Sequence, residues 1–241
     1  MYIIVNYFKY LITMKLRIII LSFLFVVAGF SCLAEENDPE TEQNNQETEQ
    51  KDEPVTNSSA FTDDEIKAAN TAADVSYLSD DEKEVILLCN LARLDGSRFA
   101  EAYVKPHLNG KTSSAIQSLY SDLSAVKNLP MYQPKKELCE SAAYHAEDMG
   151  SSGRTGHTST DGTSMGDRVW GYAPEAGAIA ENCSYGYSEP LAIVIQLLVD
   201  EGLTPPGHRN SILSTKYNFI GVAIREHKSW RYNCVQDFSA N

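Results

Sequence analysis

Basic residues are scarce in this 241-residue chain: Lys and Arg total 20 against 33 Asp and Glu, a formal net charge of −13. That balance repels a phosphate backbone and excludes nucleic acid as a partner. Long apolar runs are lacking too. Ile18 to Phe30 falls short of the roughly 20 residues that cross a bilayer comfortably. There is no internal repeat, no glycine-rich phosphate loop, no HExxH and no nucleophile elbow, so the chemistries announced by those motifs have no signature here. Five cysteines are present, and the four beyond Cys32 leave disulfides possible without fixing any pairing.

What is present has the composition of a globular protein. The hydrophobic share is 43%, enough for a packed core, and the length allows one domain plus extra segments. The acidity is local. Nine acids lie between residues 33 and 53, from Glu35 to Glu53, against Lys51 alone. The remainder is only mildly acidic, so charge says little about a substrate.

Residues 1–32 read as a targeting segment. Lys15 and Arg17 form a basic lead-in after Met14, and the short apolar run follows. Met14 is the natural start, which makes residues 1–13 an extension ahead of it. The run ends Ala28-Gly29-Phe30-Ser31-Cys32. This resembles a bacterial lipoprotein signal, with cleavage before Cys32 and lipid on its thiol. The alternatives are an ordinary secretory signal cut nearby or an uncleaved anchor that uses Met1 to Phe8. Residues 33–76 read as an acidic tether, too polar to order itself. Within it, Ala60 to Ala73 has a helix signature capped by Thr62, but a solvated linker is the simpler expectation.

A domain is expected over residues 77–241. Ser79 caps a helix whose first turn is Asp80, Asp81 and Glu82, and Val85, Leu88, Cys89 and Ala92 form its apolar stripe. Asp95-Gly96 ends it, and Phe99, Ala102 and Tyr103 begin a second, short helix. Further helices are predicted over 113–126, from Pro134 to Gly150, and over 191–199. His145 lies on the apolar face of the second of these, where a satisfied core histidine is the expectation. Ser151 to Ser164 is a polar loop carrying His157, and Ala178 to Tyr185 has strand character. Pro205-Pro206-Gly207 forces a turn ahead of a short helix that carries His208 in its first turn, where the dipole favours a neutral ring. Phe219–Ile224 and Trp230–Phe238 read as a hairpin.

Taken in order, these residues are similar to a known family. The run is Asn90-Leu91-Ala92-Arg93, Ala143-Tyr144-His145-Ala146-Glu147-Asp148-Met149, Gly156-His157-Thr158-Ser159-Thr160-Asp161-Gly162, Asp167-Arg168, Glu181-Asn182, Gly207-His208-Arg209-Asn210 and Ile220-Gly221-Val222. It resembles the CAP superfamily of cysteine-rich secretory proteins, antigens and pathogenesis-related proteins, with their bacterial SCP-like relatives, over residues 79–240. The resemblance implies an α+β fold, an α-β-α sandwich with a mostly antiparallel central sheet. It also implies a cleft lined by two histidines and two acids. His157 and His208 match the histidines and Glu181 matches the first acid. Asp200 falls at the second acid, with Glu201 as a substitute, and Leu197 stands where an aromatic is usual. Cys89 replaces a histidine often found before the Asn-x-x-Arg signature.

Two imidazoles and a carboxylate suit Zn²⁺ or another divalent ion, held weakly because positions stay open. His157, His208 and Glu181 are the expected ligands, with Glu181 either binding directly or fixing a ring tautomer. The same groups, with Asp200, are the candidates for acid-base catalysis. That chemistry needs a nucleophile, and Thr158, Ser159 and Thr160 read as turn hydroxyls. Arg93 and Arg168 read as salt-bridge partners. Cys89, Cys139, Cys183 and Cys234 allow three disulfide pairings or four free buried thiols. The functional expectation is an exported, lipid-anchored CAP module at the outer membrane or cell surface of a bacterium, or else periplasmic or secreted. Its cleft would take a metal and a small-molecule, lipid or peptide ligand. The alternatives are a metal-assisted or serine-type hydrolase of peptide or cell-wall material, and a structural or adhesive surface module.

Overall fold

A computed structural model describes residues 60–241. The expected signal segment, the lipidation site Cys32 and the tether up to residue 59 lie outside the described residues. Among the described residues no helix is long and apolar enough to cross a membrane.

The fold starts earlier than the sequence suggests. Helix α1 (Asp63–Ala69) opens with a complete capping box: the Glu65 N–H donates to Thr62 Oγ1 at 3.2 Å and the Thr62 N–H to Glu65 Oε2 at 2.8 Å. Phe61, Ala69 and Ala72 are buried in the main core. The stretch 61–76, read as solvated linker, is therefore packed. Its few apolar residues find a surface on the following helix, a contact the sequence pattern does not display.

Helix α2 (Asp80–Leu94) is the central helix, capped by Ser79 and Glu82 as its sequence dictates. The Asn90-Leu91-Ala92-Arg93 signature turns out to be structural. The Asn90 side-chain amide donates to Ala69 O at 2.9 Å and to Tyr132 O at 3.1 Å, and accepts from the Tyr132 N–H at 2.8 Å. Arg93 is fully buried without a carboxylate partner. It donates to the carbonyls of Pro130, Ile212 and Ser214 and lies 3.9 Å over the Tyr132 ring. The salt bridge expected of Arg93 is replaced by hydrogen bonds to these carbonyl oxygens.

Short turns α3 (Gly96–Phe99) and α4 (Lys105–Leu108) flank a π-helical turn, and α5 (Ser114–Ser124) follows its Ser113 cap. Strand β1 (Gln133–Pro134) leads into α6 (Lys136–Ser152). Helix α6 runs past Gly150, its expected end; Gly153, in the left-handed region, is the cap. Gly150 instead permits contact with the sheet, since a Cβ there would meet Glu226 O at 2.1 Å. Next come α7 (Met165–Tyr172), β2 (Ile179–Tyr185), α8 (Pro190–Val199), α9 (Gly207–Ile212), β3 (Phe219–His227) and β4 (Arg231–Ser239). The loop expected up to Ser164 ends there, because Ser164 caps α7, a helix the sequence reading did not include.

The sheet order is β1-β3-β4-β2, parallel only between β1 and β3. Helix α6 covers one face, and α2 with α8 the other. The α-β-α sandwich is thus present. Strand alternation sorts the side chains. Ile220, Val222, Cys234 and Phe238 join the large core with α2 and α8. Ala223, Val235 and Cys183 meet Ala142 and Ala146 of α6 across a thin layer of small residues. Each fully buried Leu, Ile or Phe of the large core contributes roughly 1.5–3 kcal/mol. The thin α6 layer has less apolar surface, and it is there that polar groups collect.

Candidate functional site

Strand β2 sends Glu181, Cys183 and Tyr185 to the α6 face and Asn182 and Ser184 to the other. Glu181 is buried at the centre of the first group. His157 Nδ1–H donates to Glu181 Oε1 at 2.8 Å, and Arg168 forms a buried ion pair with Oε2. Arg168 reaches it from α7 and also donates to His157 O and Ser159 Oγ, both at 3.2 Å. The salt bridge expected of Arg168 is present, and its acid is the site carboxylate itself.

The loop bearing His157 is pinned one residue earlier. Gly156 takes φ of +119°, which a side chain disfavours. Its carbonyl accepts from His145 Nε2–H at 2.8 Å, and its N–H donates to the Tyr185 hydroxyl at 2.9 Å. His145 is a core histidine as expected, but its Nε2 also lies 3.9 Å from Glu181 Oε1, and its Nδ1 has no partner. Cys183 Sγ is 3.7 Å from His157 Nδ1.

The second histidine has its own acid. Asp200 caps α8 in the left-handed region, which Asp tolerates. Its carboxylate accepts His208 Nδ1–H at 2.6 Å and the His208 N–H at 2.8 Å. Of the two neighbouring acids it is thus Asp200 that pairs with His208, while Glu201 accepts from Ser113 Oγ. Asn182 joins the two dyads: adjacent to Glu181, it donates to His208 O at 3.2 Å and to Gln236 Oε1 at 3.0 Å. Arg209, fully buried, fastens α9 to the end of α8 through Leu198 O and Val199 O and to α5 through Asp122 and Ser118.

Both histidines thus place Nδ1–H on a carboxylate, which leaves Nε2 as the free acceptor. The bond to Glu181 raises the His157 pKa above its ordinary value despite partial burial. Burial lowers that of His145 and keeps the ring neutral. Burial pushes Glu181 up, yet His157, Arg168 and His145 together hold it below the usual carboxylate range. Asp237 faces Glu181 across the β2–β4 ladder, fully buried, with Ser141 as a further polar neighbour; burial and the Glu181 charge raise its pKa well above normal.

The sequence reading missed Asp237, Arg209 and α7. Only α7 had a local signal, Ser164 followed three residues later by Asp167.

Among the described residues, the His, Cys, Asp or Glu ligating atoms that gather as three within 4.8 Å of one another belong to His145, Glu181 and Cys183, a group that could hold a metal ion. His208 is not part of it. The loop hydroxyls have structural roles: Ser159 Oγ accepts from Arg168, and Thr160 donates from both N–H and hydroxyl to Asp148. All four described cysteines are free and buried. Burial pushes Cys89 and Cys139 up to about 12 and Cys183 well above the ordinary thiol value.

A sequence profile of the cysteine-rich secretory protein (CAP) family matches residues 88–238. The chain belongs to the CAP family. A comparison with curated proteins gives no match. Among solved structures, this CAP chain is similar to an extracellular protein containing an SCP domain from Bacillus anthracis str. Ames, at 16% identity and a TM-score of 0.44. That alignment covers 75% of this chain and 44% of the other, so the chain spans less than half the length of that relative. An outer surface protein from Borrelia burgdorferi aligns at 21% identity and a TM-score of 0.41, over 54% of this chain and 94% of its own.

Proposed function

We propose that this CAP protein is an exported module, tethered to a bacterial membrane through lipidated Cys32, whose cleft binds a divalent ion and a small-molecule, lipid or peptide ligand. One observation carries the reading. Two histidines, His157 and His208, are each oriented by a carboxylate through Nδ1 and keep Nε2 free. Carboxylate–histidine pairs are the usual support of metal-binding imidazoles. In this reading His157 and His208 hold the ion, and Glu181 and Asp200 fix their tautomers. A bound ion would supply Lewis acidity and lower the pKa of water. The protein's own groups orient it and exclude competing tautomers.

The inner group is a second metal reading. Zinc bonds of about 2.0–2.3 Å in a tetrahedron separate ligands by roughly 3.3–3.8 Å. The 3.9 Å between His145 Nε2 and Glu181 Oε1 is of that order, and Cys183 Sγ lies within 4.8 Å of both. Binding there would require Cys183 to lose its proton and His145 Nε2 to give up the one it donates to Gly156 O.

Calorimetric titration of residues 54–241 with Zn²⁺ separates the two. The cleft reading expects one ion bound by wild type, lost in His157→Ala and in His208→Ala and kept in Cys183→Ser. Loss in Cys183→Ser with retention in His208→Ala moves the ion to the inner group. No binding by wild type ends both metal readings and favours the adhesive module. Fatty-acid labelling that is equal in wild type and Cys32→Ala ends the lipid proposal.

Hydrolysis is the alternative, because His157 with Glu181 has the form of a base and its orienting acid. Ser159 and Thr160 bond elsewhere, which counts against a serine-type mechanism. Turnover of peptide or glycan substrates no faster than that of a His157→Ala/His208→Ala control would remove it.

A further inference from the structure

A second feature of the α6–α7 side shares only Arg168 with the His157–Glu181 pair. A cavity of about 300 Å³ opens there, lined by Tyr144, Thr163, Asp167, Arg168, Gly171 and Tyr172. Its walls are aromatic: the Tyr144 and Tyr172 rings have centroids 6.2 Å apart at 45°. They are 39% and 38% exposed, high for two adjacent large rings. Around them stand carboxylates. Asp161 lies beside the Tyr144 hydroxyl, Asp148 is one helical turn along α6 from Tyr144, and Asp167 lines the cavity itself.

Those carboxylates are positioned but not neutralised. Asp148 accepts from Thr160, Asp161 from the Thr163 N–H and Asp167 from Ser164. These neutral donors leave each charge in place and occupy only part of each group's accepting capacity. Among the described residues none of the three pairs with Lys or Arg. The one cation in the wall, Arg168, has its charge matched by buried Glu181.

We propose that this cavity binds an organic cation, an ammonium or quaternary ammonium group seated against the Tyr144 and Tyr172 rings and balanced by Asp161 and Asp167. Aromatic faces attract cations through the ring quadrupole, and the carboxylates beside these rings add to that attraction. An anion meets uncompensated negative charge. A bare metal ion finds ring faces in place of ligating atoms, and none of these aspartates belongs to a three-ligand group. The Tyr144 phenol supports the sign of the field: Asp161 first, then loss of hydration, then Asp148 raise its pKa, against the opposing pull of Arg168. The cation has two chemical sources, a choline headgroup or a lysine side chain. The site does not depend on metal in the cleft.

The test titrates the full chain, in choline-free detergent with chelator present, with choline, with Nα-acetyl-lysine methylamide and with 3,3-dimethylbutanol, the uncharged counterpart of choline. Tyrosine fluorescence reports binding. At least one cation is expected to saturate, with the neutral alcohol roughly tenfold weaker or more. Saturation by choline alone assigns the lipid headgroup, and by lysine alone a peptide. Tyr144→Ala/Tyr172→Ala should abolish binding. Asp161→Asn, on an exposed turn where Asn can still accept the Thr163 N–H, should weaken it severalfold with the fold intact. Equal binding of the neutral alcohol, binding that survives the double tyrosine variant, or saturation by neither cation overturns the proposal.

Discussion

Glu181 and Asp237 stand opposite each other across the β2–β4 ladder, and their surroundings push them apart: Glu181 is held below the usual carboxylate range while burial and the Glu181 charge raise Asp237 well above it. Two adjacent buried carboxyls cannot both carry charge cheaply. Arg168 and His157 settle which one does, because both reach Glu181.

Replacing Asp237 with Asn should therefore stabilise the protein at neutral pH. The folded pKa of Asp237 is raised, so its contribution is fully present below the unfolded value and is lost as pH rises toward the folded one. A neutral amide in its place carries no such loss. Urea midpoints of Asp237→Asn and wild type should coincide near pH 3.5 and separate in favour of the variant near pH 7.5.

Glu181→Gln should have the opposite effect. It leaves the Arg168 guanidinium buried without its counter-charge, at a cost of roughly 3–5 kcal/mol. In the same variant the His157 resonance, followed by NMR, should titrate lower than in wild type, because the carboxylate that raises it is gone. An unchanged His157 titration would contradict the dyad.

Arg209 lies beside a candidate ligand but acts on the fold. Arg209→Met removes its bonds to Leu198 O and Val199 O and frees α9 from α8. Loss of several charge-assisted bonds, each about 1.5–3 kcal/mol, should make this the most destabilising single change near the cleft. Thermal melts compare it with His208→Ala, whose partly exposed ring should matter far less to stability.

The segment ahead of α2 is also testable. Phe61→Ala should cost roughly 3–4 kcal/mol, as expected for a fully buried aromatic and not for a linker residue. Arg98 holds Glu65 down to a pKa of about 2. That stabilisation is present above the ordinary Glu value and lost as pH falls toward about 2. Hydrogen exchange over residues 63–69 should accelerate there before the α2 amides do.

Much was legible in the chain because it is written at short range. Ser79 with Glu82 and Thr62 with Glu65 are capping boxes within four residues, and the caps form as spelled. Strand alternation alone places Glu181 and Cys183 on one face and Asn182 on the other. His157, Glu181, Asp200 and His208 could be named from motif order, and each histidine has a carboxylate on Nδ1. The pairing of His208 with Asp200 is local too, eight residues apart across one turn.

What only tertiary structure decided involves partners far apart in the chain. Asp237 looks like any polar residue of an alternating strand until register sets it against Glu181, 56 positions earlier. Arg168 becomes the counter-ion of the site only because α7 folds against β2, and His145 approaches that site only because Gly156 returns to α6. Phe61 is buried only because Tyr103 and Arg98, some forty residues later, pack against its ring. Local sequence specifies caps, faces and the residue types of a site. Which charges survive in it depends on burial and neighbours, and these exist only once distant segments have packed.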